Sequence, residues 1–498
     1  MSRSFLPQSA FGALSSYQLL PFRFHRLDEQ TEILVNECGE YLFVPKGTAR
    51  IIVRKELPIN SELYPTLKAK HFIYDESSSP LLDVLATKYR TKFGFIYGST
   101  KLHIFVVTLR CDHSCHYCQV SRQTTNRSQF DMSEAVATAA VKMMLQSPSK
   151  HITLEFQGGE PLLAFDKIQY IVPIAKDGAA RLGKELDIVI TSNLAFLTDD
   201  ILDYCKAHEI KLSTSLDGPE FIHNSNRPRP GGDSYKVAID GISRARRVLG
   251  SDRVAALMTT TQLSLKHPVE IIDEYVRRSF HTIFLRPISP YGFAVKSKHK
   301  TGYEIEAFLE FYKTGLNHIL ELNRRGYNLV EIYTQILLQK ILTPKGTGYV
   351  DLQSPCGAGL NVLVYNYDGN VYATDEARML AEMQDNTFKL GHVLSNSRPE
   401  ILTSPAFVAL LQEGCNQSLP GCSDCAFQPY CGSDPVYHHA TQGDMTGHRA
   451  TSGFCKRNMK VMEHLFSMLR NGDPFVQDLF WAWVTYRNLT EIRASIPQ

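Results

Sequence analysis

The rhythm of hydrophobic and polar positions changes along the chain, and each change marks a different kind of segment. Phe22–Phe24, Ile33–Val35 and Tyr41–Val44 are short apolar or β-branched runs, with turn residues Asn36 and Gly39 between the last two. This is the pattern of short antiparallel strands. Short helices are expected around Ala49–Val53 and Leu63–Leu67, and a longer one over Leu81–Arg90 after the Ser77-Ser78-Ser79-Pro80 loop. From Lys101 strands alternate with helices. Strand-like runs at 102–108, 152–156, 187–191, 210–216, 254–260 and 283–286 are separated by helical periodicity at 133–146, 165–182, 198–208, 235–249, 268–278 and 303–324. Six βα units in succession predict an α/β fold, a parallel sheet with its helices outside. Six are fewer than the eight of a closed barrel, so the expected form is an open, partial barrel, with ligands at the carboxyl ends of its strands.

Residues 326–355 read as a helix followed by a connection containing Pro344, Gly346 and Gly348. From Cys356 to Cys455 periodicity fades while turns and cysteines become dense, as expected of a segment organised by metal. Helical spacing returns with Phe475, Leu479, Phe480, Trp483 and Val484, predicting a terminal helix that docks on the main body. The expected division is therefore 1–98, 99–325, 326–355, 356–473 and 474–498.

Composition narrows the function classes. A length of 498 residues suggests about three domains, and 43% hydrophobic residues supply a sizeable core. The 53 basic and 51 acidic groups nearly cancel, so nothing marks the chain as a nucleic-acid binder. No stretch is long and apolar enough for a membrane span or a signal-peptide core, which points to a cytoplasmic protein. The 11 cysteines are odd in number and many lie in two tight clusters, so they read as metal ligands rather than disulfides.

Cys111, Cys115 and Cys118 follow the first strand of the βα series with C-x3-C-x2-C spacing. Zinc in a structural site takes four protein ligands and a four-iron cluster usually takes four thiolates. Three local thiols leave one iron open to a non-protein ligand if the group is a cluster; zinc or thiol redox chemistry is the alternative. Gly158-Gly159-Glu160-Pro161 follows the second strand, where glycines permit close backbone approach and a carboxylate pairs with an ammonium.

With Tyr117 before the last cysteine, the triad resembles the signature of radical S-adenosylmethionine (SAM) enzymes. In that family the open iron is chelated by SAM, and the reduced cluster cleaves SAM to a 5′-deoxyadenosyl radical that abstracts a substrate hydrogen. The resemblance assigns Cys111, Cys115 and Cys118 to the cluster and Gly158, Gly159, Glu160 and Pro161 to the motif that receives the SAM amino group. Thr191-Ser192-Asn193 resembles the family's T-N-G segment, imperfectly because leucine follows. Ser215 with Asp217-Gly218-Pro219 resembles the S-L-D-G-P segment that touches SAM in peptide-modifying members, and Asp217 is assigned a catalytic place. Strand-end caps and turns are the plain alternative for these polar residues. Arg227 either pairs with the SAM carboxylate or faces solvent.

Cys422, Cys425, Cys431 and Cys455 resemble the SPASM extension, which carries auxiliary iron–sulfur clusters in radical SAM peptide maturases. The fuller pattern holds two such clusters. Here Cys356 and Gly369 fit its opening, but Thr374 and Pro435 stand at two later cysteine positions. One auxiliary cluster on Cys422, Cys425, Cys431 and Cys455 is therefore expected, with a four-cysteine zinc knot as the alternative. Cys38, Cys205 and Cys415 read as stray thiols. His438, His439 and His448 read as loop histidines rather than ligands.

The segments Gln428–Pro435, Gly443–Arg449 and Thr451–Cys455, with Leu20–Phe24, look like the radical SAM maturase of the His-Xaa-Ser peptide system. The resemblance implies two 4Fe-4S clusters, SAM, a ribosomally made precursor peptide as substrate, and a reductant such as flavodoxin or ferredoxin, with a companion maturase as a further partner. It also implies a partial (β/α)6 barrel, a SPASM-like C-terminal domain and a winged-helix-like N-terminal module that binds leader peptide. A sulfatase-type maturase that oxidises Cys or Ser in a protein is the competing enzyme reading. A non-enzymatic iron–sulfur or zinc scaffold is the reading from another class.

Overall fold

A computed structural model describes residues 17–75, 79–118, 123–124, 126–296 and 298–494. The expected loop at residues 77–78 lies outside the described residues.

The N-terminal module is built on a three-stranded antiparallel sheet, β2 (Phe22–Arg26), β3 (Thr31–Asn36) and β4 (Tyr41–Pro45). A second ladder, β1 (Gln18–Leu19) with β5 (Ile73–Tyr74), closes it behind helices Thr48–Val53 and Leu63–Ala69. Strand periodicity explains how it attaches. Leu34 belongs to the module's own small core with Val44, Ile52, Leu67 and Phe72, while its neighbours Ile33 and Val35 point the opposite way into the main core. That opposite face meets the C-terminal helix Gly453–Asn471, where the Phe466 ring lies 5.1 Å from Tyr41 and 5.8 Å from Phe427. The buried Tyr430 hydroxyl donates to the Gly39 carbonyl at 2.8 Å. The module is thus one wall of the C-terminal region rather than a tethered appendage.

The central sheet has eight strands. Its parallel part contains β6 (Leu102–Thr108), β7 (His151–Gly158), β8 (Glu185–Thr191), β9 (Lys211–Ser215) and β10 (Val254–Leu257), each beside the next. Helices such as Glu134–Leu145 and Phe165–Arg181 cover the outside, and β6 is buried along nearly its whole length, as central parallel strands are.

The sixth strand does not join this sheet: β11 (Thr282–Ile283) pairs instead with β12 (Val330–Glu331). One backbone bond, Thr260 N–H to the Arg286 carbonyl at 2.8 Å, keeps the segment against the barrel. Buried Glu331 holds the junction by accepting from the backbone N–H groups of Leu285, Tyr333 and Thr334, so it also caps the helix Ile332–Leu342.

The cysteine-rich segment is more regular than its sequence suggests. β13 (Val362–Tyr365) adds in parallel beside β6, and β14 (Asn370–Tyr372) and β15 (Lys389–His392) continue the sheet antiparallel. The barrel and the C-terminal region consequently share one core. The terminal segment is two helices, Pro474–Thr485 and Leu489–Ala494, broken where Tyr486 takes φ +57°. The first docks on helix Ile332–Leu342, with the Gln335 side chain donating to the Trp483 carbonyl at 2.5 Å.

Candidate active site and auxiliary cysteine site

Cys111, Cys115 and Cys118 lie on the loop leaving β6, and the sequence around them fixes that loop from three sides. Arg110, at its start, makes a bidentate pair with Asp131, 2.7 Å in each arm, and donates to the Leu163 carbonyl. Ser114 and His116 donate backbone N–H groups to the carbonyls of Pro228 and Asn226, strapping the loop to the segment carrying Arg227. Gly158 and Gly159 press on it from β7. A Cβ on Gly158 would lie 2.3 Å from the Thr108 carbonyl oxygen, and one on Gly159 would lie 2.3 Å from that of Arg110. Close approach explains both glycines, and on the side a Cβ would occupy the group approached is the backbone leading into the cysteine loop.

Glu160 is the junction of the site. Its fully buried carboxylate accepts from the Ser192 hydroxyl at 2.7 Å, the Asn193 N–H at 2.8 Å and the Leu162 N–H at 3.0 Å. Burial outweighs these donors and pushes its pKa up to about 7. A carboxylate has about four lone-pair positions, so one is left for an ammonium. Pro161 starts the short turn that follows. Asn193 reaches across to the loop, its side-chain nitrogen lying 2.9 Å from both Asp112 Oδ1 and His113 Nδ1. Leu194, at the place of the glycine in the resembled T-N-G segment, holds a left-handed φ of +64°. Its N–H is bound by Ser192 Oγ at 2.9 Å, and its side chain occupies the space above Gly241.

Tyr117, on the cysteine loop, builds a second polar group. Tyr117 donates to both Asp217 oxygens, at 2.8 and 3.0 Å, and accepts from Arg227 Nη1 at 2.7 Å. Burial raises both the Asp217 carboxyl and the Tyr117 phenol, while the Arg227 cation opposes each shift. Arg227 therefore turns inward, and the solvent-facing reading of it falls. Ser215 ends β9 beside this group. The residues missed from the sequence are Asp112, His113 and Arg229, which brace the loop; the polar spacer after Cys111 was the available signal.

The second cysteine set is brought together differently. Cys422, Cys425, Cys431 and Cys455 all line one cavity of about 390 Å³, with Phe427, Phe454, Met459 and Met462 forming apolar walls. Burial and the neighbouring thiols push Cys431 up to about 12 and Cys455 to about 11. Among the described residues, no three His, Cys, Asp or Glu side chains already form a closed cage for one metal ion. The donor chemistry nonetheless fits a cationic centre: convergent, half-buried thiols in an apolar-walled cavity ionise together only when positive charge is placed among them. Cys115, half-buried and raised to about 11 by desolvation, presents the same chemistry in the triad.

His438 binds Ser452 and the Asp434 carbonyl, and His439 binds Asp385, so both are engaged outside this cavity. Cys356 is absent from the cavity, and Thr374 and Pro435 begin helices: the Thr374 hydroxyl caps Asp375–Glu382, and Pro435 is the first residue of Pro435–Gln442, capped by Asp434.

Comparison with known proteins agrees with this arrangement. The radical SAM superfamily model matches residues 105–276. An uncharacterized protein of Methanocaldococcus jannaschii is 32% identical over 129 residues, 26% of this chain and 42% of that protein, so less than half of that relative is spanned. A cysteine-type anaerobic sulfatase-maturating enzyme of Clostridium perfringens is 25% identical over 302 residues, 56% of this chain and 76% of that enzyme. Among solved structures, anSMEcpe with bound AdoMet and Kp18Cys peptide superposes with TM-score 0.62 at 18% identity, covering 74% of this chain and 98% of that one. Streptococcus suis SuiB bound to precursor peptide SuiA gives 0.52 at 14%, covering 87% and 98%. The loop of three thiols, the glycine clamp and the Glu160 junction all fall on the matched segment, and residues 105–276 are a radical SAM domain.

Proposed function

We propose that this chain is a radical SAM enzyme that modifies a ribosomally made polypeptide, akin to the maturase of the His-Xaa-Ser peptide system. Cys111, Cys115 and Cys118 hold a four-iron cluster, and Cys422, Cys425, Cys431 and Cys455 hold a single auxiliary one. The observation that carries the reading is the Glu160 junction. One buried carboxylate joins the ends of β7 and β8 and, through Asn193, fixes the cysteine loop. SAM bound at the open iron supplies, on one-electron reduction, the radical that takes hydrogen from the substrate. The chain's own groups do the rest: Glu160 receives an ammonium with its free lone pair, Arg227 offers a guanidinium to a carboxylate, and Asp217 holds Tyr117 and Arg227 in place.

A polypeptide substrate is supported by the likeness to peptide-bound anSMEcpe and SuiB. Its leader docks along β4, the sheet edge beside a cavity of about 750 Å³ lined by Tyr41, Lys70, Lys88 and Trp481. Main-chain pairing supplies affinity there and the side chains supply selectivity. Flavodoxin or ferredoxin supplies the electron. A second reading, oxidation of Cys or Ser in a sulfatase-type protein, is favoured by the Clostridium perfringens relative. It is weakened by Thr374 and Pro435.

The test is anaerobic reconstitution, reduction and chromatography for 5′-deoxyadenosine, followed by mass spectrometry of a co-expressed precursor peptide. Failure of the reconstituted protein to make 5′-deoxyadenosine overturns the reading.

A further inference from the structure

Cys356, Thr374 and Asp434, the residue before Pro435, border a cavity with an empty volume of about 690 Å³. Its lining combines Asp351, Glu376 and Asp434 with Arg286 and Arg457. Three carboxylates against two guanidiniums leave one negative charge unbalanced when all are ionised. Among the described residues no ion pair joins any two of the five. Asp434 Oδ1 accepts from the Tyr437 N–H at 2.9 Å as the cap of its helix, so what the carboxylates lack is a directly paired charge, which a cation entering the cavity would supply. Burial and the surrounding carboxylates push Glu376 up to about 7 and Asp434 well above the usual range, so in the empty cavity these carboxyls hold protons more readily than exposed ones, and the negative charge is expressed when a cation enters among them. Tyr291, Tyr349 and Tyr437 supply aromatic walls, which favour a cation over an anion.

Position connects the cavity to the chemistry. Arg286 follows β11 at the barrel mouth, and its charge reaches Glu155 on β7, opposing the rise that burial gives that carboxyl. The cavity and the barrel interior therefore share one field.

We propose that this cavity is a recognition pocket for a single cationic side chain of the polypeptide substrate. The proposal rests on the radical SAM reading for the reaction it serves. The charges select the side chain, and the barrel beside them receives the neighbouring part of the polypeptide.

Isothermal titration of the anaerobically reconstituted full-length enzyme tests it. The probes are acetyl-Gly-Lys-Gly-amide and its arginine, norleucine and glutamate counterparts at millimolar concentration. The lysine or arginine probe should bind about tenfold or more tightly than the norleucine probe, a difference of about 1.4 kcal/mol. Glu376→Gln and Asp351→Asn should each erase most of that preference while keeping wild-type iron content and thermal midpoint. Equal binding of the norleucine probe, preference for glutamate, no heat from any probe, or both variants behaving as wild type overturns the pocket. So does iron above two clusters' worth that is lost in Cys356→Ala, since a third centre would then fill the space. Wild-type enzyme that cleaves SAM but binds no cation removes the pocket alone. Selective cation binding without SAM cleavage removes the radical reading and leaves the pocket.

Discussion

Around Cys431 four thiols converge on one apolar-walled cavity, whereas around Cys356 a single thiol is left among carboxylates, guanidiniums and tyrosines. Both places descend from one cysteine-rich stretch, and the difference lies in the backbone. Cys422, Cys425 and Cys431 sit on tight turns, with Cys425 N–H bound to the Cys422 carbonyl and Cys431 N–H to the Phe427 carbonyl, and such turns aim successive side chains inward. At the other place, Thr374 and Pro435 are committed to starting helices, and each is stabilised there for its own reason: a side-chain cap and a preset φ. Spacing alone counts candidate ligands. What the backbone does at each position decides whether they become a site.

The comparison breaks most visibly on iron. With one auxiliary centre, the reconstituted protein should hold about eight irons per chain, four for each cubane cluster. The Cys111/Cys115/Cys118 triple alanine variant should lose all 5′-deoxyadenosine formation and keep about four irons, and Cys431→Ala should do the converse for the auxiliary cluster. About twelve irons in the wild type would mean that the Cys356 region holds a cluster after all. Zinc at the Cys431 site, read by elemental analysis, would overturn the iron–sulfur assignment there.

The next effect concerns affinity. Glu160→Gln removes the charge partner of an ammonium, and a hydrogen bond to a charged group contributes about 1.5–3 kcal/mol, so SAM binding should weaken about tenfold to a hundredfold. The sign of the pH dependence follows from burial. With Glu160 raised to about 7, the carboxyl is neutral below that pH, and an ammonium binds well only after its proton has left. SAM affinity should therefore fall as pH drops from about 7, by at most about tenfold per unit, and this slope should vanish in Glu160→Gln. A slope that persists in the variant would place the titration elsewhere.

Much of this was legible from the sequence because local chemistry and strand order agreed. The triad, the Gly158–Pro161 turn and the four auxiliary cysteines all sit where β6, β7 and the later turns put them. What remained hidden depended on contacts distant in sequence. β13 joins the sheet beside β6 although some 250 residues separate them, so the segment read as irregular carries part of the central sheet. The two-sided burial of β3 could not be read from its apolar run, because Ile33 and Val35 belong to a different core from Leu34. That contact also changes how the N-terminal module is tested. Deleting it would uncover Tyr430 and Phe466, so a point change in the cavity beside β4, Trp481→Ala on the helix Pro474–Thr485, is a cleaner probe of leader binding. The network of Asn193 with Asp112 and His113 was hidden for the same reason, since it spans 80 residues or more.

The smallest expected effect is the sharpest test of why the two cysteine regions diverged. The Thr374 hydroxyl accepts from the Ala377 N–H at 3.0 Å and caps the helix Asp375–Glu382. Thr374→Ala should cost about 1 kcal/mol, the ordinary value of an N-cap, visible as a lower urea midpoint with no change in iron. Thr374→Ser, which keeps the hydroxyl, should recover most of it. Thr374→Cys is the informative change, because it restores a thiol at the resembled ligand position beside Cys356. Thiol is a weak acceptor, so the cap should still be weakened. No iron should be gained, because Pro435 offers no side-chain ligand and Asp351, Glu376 and Asp434 remain in the cavity. A gain of about four irons in Thr374→Cys would mean that one lost thiol, and not the rebuilt helix starts and charges, is all that separates the two places.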